Sequence, residues 1–176
     1  MPLAWSTARK STSTATLPGY TQSNLTPPAK PSQKNLEFCG DKNLWTRTVA
    51  ATAELAAQYS YDDRHYAIII AEDLGDADGL TLEFMRSAAI QNAAAGAGVQ
   101  PEDVTIFDSS DRLFDGFNAS QIVYGIEMEG VNVVYSNAIV SKNTETFQLI
   151  VYAVGSTYTD THQQIMDEFL AGIEVK

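Results

Sequence analysis

NASQIVYGIEMEGVNVVYSNAIVSKNTETFQLIVYAV, residues 118–154, decides the fold. Ile122, Tyr124, Ile126 and Met128 recur at a period of two, which is the side-chain period of a strand. Glu129-Gly130 makes a tight turn, and Val131, Val133, Tyr135 and Ile139 then alternate in the same way. Lys142 to Glu145 is the next turn. FQLIVYAV, 147–154, is apolar almost throughout, as expected of a central strand covered on both faces. Three antiparallel strands in a meander follow from this stretch.

Working outward, VTIFD at 104–108 reads as a shorter strand before the meander. Upstream, Tyr59, Tyr61, Tyr66, Ile68 and Ile70 flank Asp62-Asp63-Arg64, the pattern of two strands joined by a polar turn. Trp45 to Ala53 mixes alanines with Thr46, Thr48, Val49 and Thr52; we read it as strand. In 80–98, Leu82, Met85, Ala89 and Ala93 share a helical face, and Gly96 and Gly98 end the helix. A second helix spans 159–173, with Ile165, Met166, Phe169, Leu170 and Ile173 as its buried stripe. Asp160 or Thr161 is placed to cap it, Thr161 pairing with Gln164 as a capping box.

Strands neighbouring in sequence, with helices between and after them, specify an α+β fold. The expected architecture is an antiparallel β-sheet flanked by helices on both faces, an α/β/α sandwich. Residues 1–34 are rich in Ser, Thr, Pro and Lys, and TPPAKPSQK at 26–34 holds three prolines. Such a segment buries too little apolar surface to offset its ordering entropy, so a flexible tail is expected before a single domain at 35–176.

The order of elements from about Tyr59 to Ile173 resembles the PsbP and Mog family of α/β/α sandwiches, which includes bacterial members of the LpqN and DcrB type. The likeness rests on the strand leading into LTLEF, on LFDGFNASQIVYGIEMEGVNVVY at 113–135, on FQLIVYAV and on the closing EFLAGIEV. Phe114-Asp115-Gly116 looks like the turn that precedes the family's long hairpin. The resemblance implies a binding or accessory role rather than an enzymatic one. It transfers no functional residue.

The formal net charge is −11. Arg9, Lys10, Lys30 and Lys34 against Glu37 make the first forty residues basic, so the body is strongly acidic. An acidic body repels nucleic acid and anionic membrane, and suits a basic partner or cations. No apolar run is long enough to span a bilayer. A single cysteine, Cys39, excludes an internal disulfide and reads as a small, partly buried apolar residue. A cytosolic protein and a mature exported one are both compatible. The tail's composition favours the periplasmic or secreted reading, and the resemblance implies a bacterial source.

IIIAEDLGDADGLTLEF, 68–84, is the acidic stretch that invites a metal. With Gly79 aligned to the glycine of an EF-hand loop, Asp76 and Asp78 fall on ligand positions, but Leu74 and Met85 occupy the first and last. A looser calcium site from Asp73, Asp76 and Asp78 remains as the alternative function, as does a small ligand held by the loop 72–79. The simpler reading is that the carboxylates end a strand and sit near a helix N-terminus. Glu72 and Asp73, adjacent on a strand, point to opposite faces and do not form an acid–base pair. His65 reads as a surface residue in the Asp62–Arg64 turn, and His162 lies in the first turn of the last helix. No catalytic residue or cofactor-binding residue is assigned, and a hydrolase is a distant third reading. Tyr59, Tyr61 and Tyr66 are the candidate surface for a protein partner, because tyrosine gives contact area at low entropic cost.

Overall fold

The computed structural model describes residues 35–74 and 81–176. In chain order the elements are β1 (Leu36–Phe38), β2 (Thr46–Thr48), β3 (Leu55–Ser60), β4 (His65–Asp73), α1 (Leu82–Ala97), β5 (Thr105–Phe114), β6 (Phe117–Met128), β7 (Val131–Lys142), β8 (Glu145–Val154), α2 (Asp160–Ala171) and β9 (Ile173–Val175). β2 to β8 form one antiparallel sheet of seven strands in the order β2-β3-β4-β8-β7-β6-β5. β1 and β9 pair as a separate two-stranded ribbon. The fold is α+β, a mostly antiparallel sheet with two helices.

The meander is set by its turns. Asp115-Gly116 and Glu129-Gly130 each place two successive residues at positive φ, the backbone of a type I′ hairpin turn. Asn143 (φ 54°) opens the third two-residue turn, between Lys142 and Glu145. Strand β5 runs to Phe114, well past the short strand expected. Nearly all of its residues are exposed on the sheet edge, so no apolar alternation marked its length. Between 43 and 53 only Thr46–Thr48 pair as strand, and they too are exposed. Helix α1 runs through Gly96 and ends at Gly98, which adopts the left-handed conformation. The cap of α2 is Thr159, whose hydroxyl accepts from the His162 N–H at 3.4 Å, rather than Asp160 or Thr161.

Alternation sends side chains of the central strands to two faces. On one face Ala67, Ile69, Ala138, Val140, Leu149 and Val151 pack with Ile165, Met166, Phe169 and Leu170 of α2. Gln121 is buried on that face and its amide donates to Met166 Sδ at 3.5 Å. The alternate residues Ile122, Tyr124 and Ile126 meet Ile90, Ala93, Ala94 and Ala97 of α1. Helix α1 lies along β6 and β7. Its small alanines let it sit close to the sheet, and Phe84 on its outer side stays exposed. Among the described residues, no helix is long and apolar enough to cross a membrane.

Phe169 is fully buried at the centre of an aromatic cluster, its ring 4.7 Å from Trp45, 5.3 Å from Phe38 and 5.7 Å from Tyr59 between centroids. This cluster holds the β1–β9 ribbon against the α2 face. The ribbon is also pinned at a backbone contact, where the Cys39 N–H donates to the Gly172 carbonyl at 2.6 Å. A Cβ at Gly172 would lie 2.7 Å from Gly40 Cα. The turn residue Asp115 ties in the ribbon's other strand by accepting from the Val175 N–H at 3.1 Å. Cys39 itself is exposed, not partly buried, because the Gly40–Gly172 contact rather than its thiol fills the junction.

Two substitutions test this packing by urea unfolding. Phe169→Ala is expected to cost about 3–5 kcal/mol through lost burial and a cavity. Gly172→Ala is expected to cost about 1–3 kcal/mol, because its methyl meets backbone that cannot rotate away. An unchanged midpoint for Gly172→Ala would show that ribbon and helix do not approach as described.

Candidate functional site

Four tyrosines from four strands form a row across the sheet. Tyr66 on β4 faces Tyr152 on β8, Tyr152 faces Tyr135 on β7, and Tyr135 faces Tyr124 on β6. Each pair is in direct register, so the rings stack, with centroids 5.4, 5.6 and 5.2 Å apart along the row. Burial, and then the neighbouring phenol, pushes the Tyr135 and Tyr152 hydroxyls up to about 12. Tyr124, the most buried, is raised further for the same reasons. Tyr124, Tyr135 and Tyr152 are therefore neutral donors at physiological pH. The Tyr135 hydroxyl donates to Met128 Sδ at 3.3 Å.

The next row on the same face runs Ile122, Asn137, Ile150, Ile68. Asn137 is a polar residue between two isoleucines and is 1% exposed. Its amide N–H donates to Gln148 Oε1 at 3.0 Å, while its Oδ1 has no partner among the described residues. A buried carbonyl without a donor costs stability and calls for an explanation. One is adjacent. Because α1 lies on β6 and β7, the face over β4 and β8 is left as a pocket of about 620 Å³. Ile68, Ile70 and Ile150 form its floor, Ala89 and Ala93 of α1 one wall, and Asn137 and Tyr135 line it. That volume lies in the usual range for small-molecule sites, roughly 300–1,000 Å³. The lining is largely apolar, with a few amide groups and one carboxylate, Glu54, at its exposed side, which suits an uncharged rather than an anionic ligand.

A second polar constellation links the β3–β4 turn to the start of α2. The Asp62 carboxylate accepts from the backbone N–H groups of Arg64 and His65 at 2.8 and 2.7 Å and meets His65 Nδ1 at 2.9 Å. His65 Nε2 lies 2.9 Å from His162 Nδ1. His65 is thus buried, not on the surface as the turn sequence implied. Its ring is covered by Tyr61 and by His162, the latter from an element far along the chain. One ring must donate and the other accept, so a proton on both facing nitrogens is excluded. Burial pushes the Asp62 carboxyl up, but the backbone N–H groups and the His65 ring together outweigh it and hold it below the usual range. His162 is lowered, first by burial and then by His65. The two rings satisfy each other, so their facing nitrogens are not open to a metal. Among the described residues no group of three or more His, Cys, Asp or Glu is placed to hold one.

Of the residues singled out from sequence, Asp73 is exposed at the end of β4, while Asp76 and Asp78 lie outside the described residues. Tyr59, Tyr61 and Tyr66 are not brought together. Tyr59 is buried against Phe38 and Phe169, Tyr61 packs on Trp45, and Tyr66 lies on the opposite face at the end of the tyrosine row. Sequence reading missed Asn137, although it interrupts the alternating run of Val133, Tyr135 and Ile139. It also missed the row. Tyr124 and Tyr135 are equidistant from the Glu129-Gly130 turn, and Tyr135 and Tyr152 from the turn at Asn143, which was the available signal.

No protein-family model matches the chain, and no curated protein matches it. Solved structures do. The chain is similar to the cyanobacterial PsbP (CyanoP) of Synechocystis, with a TM-score of 0.57 and 11% identity over 86% of this chain and 99% of that one. It is similar to LpqN of Mycobacterium tuberculosis, described as involved in cell envelope biogenesis, with a TM-score of 0.52 and 14% identity over 87% of each chain. A protein of Bacteroides thetaiotaomicron matches at a TM-score of 0.50 and 11% identity, over 82% of this chain and 49% of that one. The chain has the PsbP/LpqN-like fold that its sequence pattern resembled.

His162 makes stability depend on pH. The folded chain binds a proton at His162 less readily than the unfolded chain does. Stability is therefore intact above the ordinary imidazole value of about 6.5 and falls as the pH drops through the lowered folded value. Urea midpoints should hold above about pH 6.5 and decline below it, and the decline should be shallower in His162→Gln. Equal slopes in the two proteins would show that His162 does not carry the effect.

Proposed function

We propose that this chain is a non-enzymatic accessory protein of the PsbP/LpqN-like type, acting outside the cytoplasm as a single α/β/α domain over residues 35–176. Its binding element is the pocket beside α1 together with the tyrosine row. The observation that carries this reading is the pairing of an apolar pocket with the buried, unpartnered Oδ1 of Asn137. An apolar ligand with one N–H or O–H would fill the first and satisfy the second. Rejection of ligands lacking that donor follows, because they would leave the carbonyl unpaired. The structural neighbours support an accessory role, LpqN being described as involved in cell envelope biogenesis. Tyr66 and Tyr152 form the half-buried end of the row, where a bound molecule or partner meets rings rather than charge.

N-phenylnaphthylamine, a neutral apolar fluorophore with one N–H, is a direct probe. Its fluorescence should rise on binding. Ala93→Trp, which fills the pocket from the helix side, should abolish the rise. Asn137→Leu should weaken binding by about tenfold while keeping the fold. A rise that survives Ala93→Trp would place the binding elsewhere and overturn the reading. Export is tested by fractionating the source cell, and recovery with cytosolic markers would refute it.

A further inference from the structure

The opposite face holds a second pocket, of about 670 Å³, between the β1–β9 ribbon and the β2 end of the sheet. Its floor is built from small and aliphatic residues, among them Ala56, Ala57, Ile69 and Ala71. Alanine at these strand positions leaves space that larger β-formers would fill. The rim is different in kind. Lys42, Arg47 and Lys176 all line the pocket, against the single carboxylate of Glu37. Lys176 is paired with Glu37. Among the described residues neither Lys42 nor Arg47 has a carboxylate in ion-pair contact. In a chain of net charge −11, an excess of cations at one pocket is a local reversal of sign.

A second observation points the same way. Trp45 also lines the pocket and is 2% exposed, and among the described residues its indole Nε1–H has no acceptor. Indole nitrogen is a donor only, so what it lacks is an acceptor. The loop 41–45 fixes this residue in place. The Asp41 carboxylate accepts from the Asn43 N–H at 2.8 Å and the Asp41 carbonyl from the Trp45 N–H at 2.9 Å. Arg47, in direct register with Tyr59, stands on the same side of the sheet. Two cations and an unsatisfied donor above an apolar floor match a molecule with an anionic head and an apolar tail.

We propose that this pocket binds a single-chain amphiphilic carboxylate. Its tail lies on the alanine and isoleucine floor, and its carboxylate accepts from the Trp45 indole and the side chains of Lys42 and Arg47. This site is on the other face from the pocket beside α1 and differs in charge, so the two stand or fall separately.

Calorimetric titration of the full chain with decanoate, decanol and acetate tests it. Decanoate should bind about tenfold more tightly than decanol, and acetate should give no heat. Lys42→Gln combined with Arg47→Gln, both on the surface, should weaken decanoate by about tenfold and leave decanol unchanged. In a Trp5→Phe background Trp45 is the sole indole, and its emission should shift with decanoate. Ala93→Trp should leave decanoate binding intact. Equal affinity for decanoate and decanol, no loss in the Lys42/Arg47 variant, or loss in Ala93→Trp instead, would each overturn the proposal.

Discussion

Three two-residue turns hold β5, β6, β7 and β8 in one register, and the positions of nearly all other groups follow from it. The period of a strand is two, so a slip of one residue would send every side chain to the wrong face. Paired positive φ values at Asp115-Gly116 and Glu129-Gly130 impose a twist that matches the strands they join. The aromatic row exists only because the turns make Tyr124, Tyr135 and Tyr152 mutual partners. The same arithmetic puts Asn137 between Ile122 and Ile150, and sends Val123, Ala138 and Leu149 to the face that α2 covers.

The two helices use their faces differently. α2 carries large residues, Phe169 and Met166 among them, and closes its face tightly around an aromatic cluster. α1 is built mainly of alanine where it meets the sheet, so it approaches closely but spans little width. The space beside it is a consequence of that composition. One face is thus packed for stability, with a pocket at its ribbon edge, while the other retains an opening over the middle of the sheet. A sheet with room on both sides is a scaffold on which sites can differ without a change of fold.

Where apolar residues alternated, the chain could be read directly. β6, β7 and β8 were legible in this way, as was the stripe of α2. The start of β5 was read, but its extension was not, because an exposed edge strand continued by Ser109, Ser110, Asp111 and Arg112 has no buried face to mark. Those charges have their own use in blunting an open edge. His65 was misplaced for another reason. Its local context is a polar turn, and only the approach of His162 and Tyr61 buries it. The acidic loop drew attention by composition alone, whereas Asn137 stood out only against the pattern around it. Long-range contacts and single exceptions to a pattern are the two kinds of information that composition does not carry.

The pairing of Leu36–Phe38 with Ile173–Val175 has a kinetic side. Strand β1 is among the earliest parts of the described chain to leave the ribosome, yet its partner is among the last. The local hairpins can close as they emerge, but this ribbon must wait for a loop that spans the whole domain. Until then Leu36 and Phe38 have no strand to pair with, and the wall of the cationic pocket is missing. Synthesis of β9 is in this sense the licence for that pocket: a polypeptide halted after α2 could hold its meander, and would have no ribbon with which to wall it.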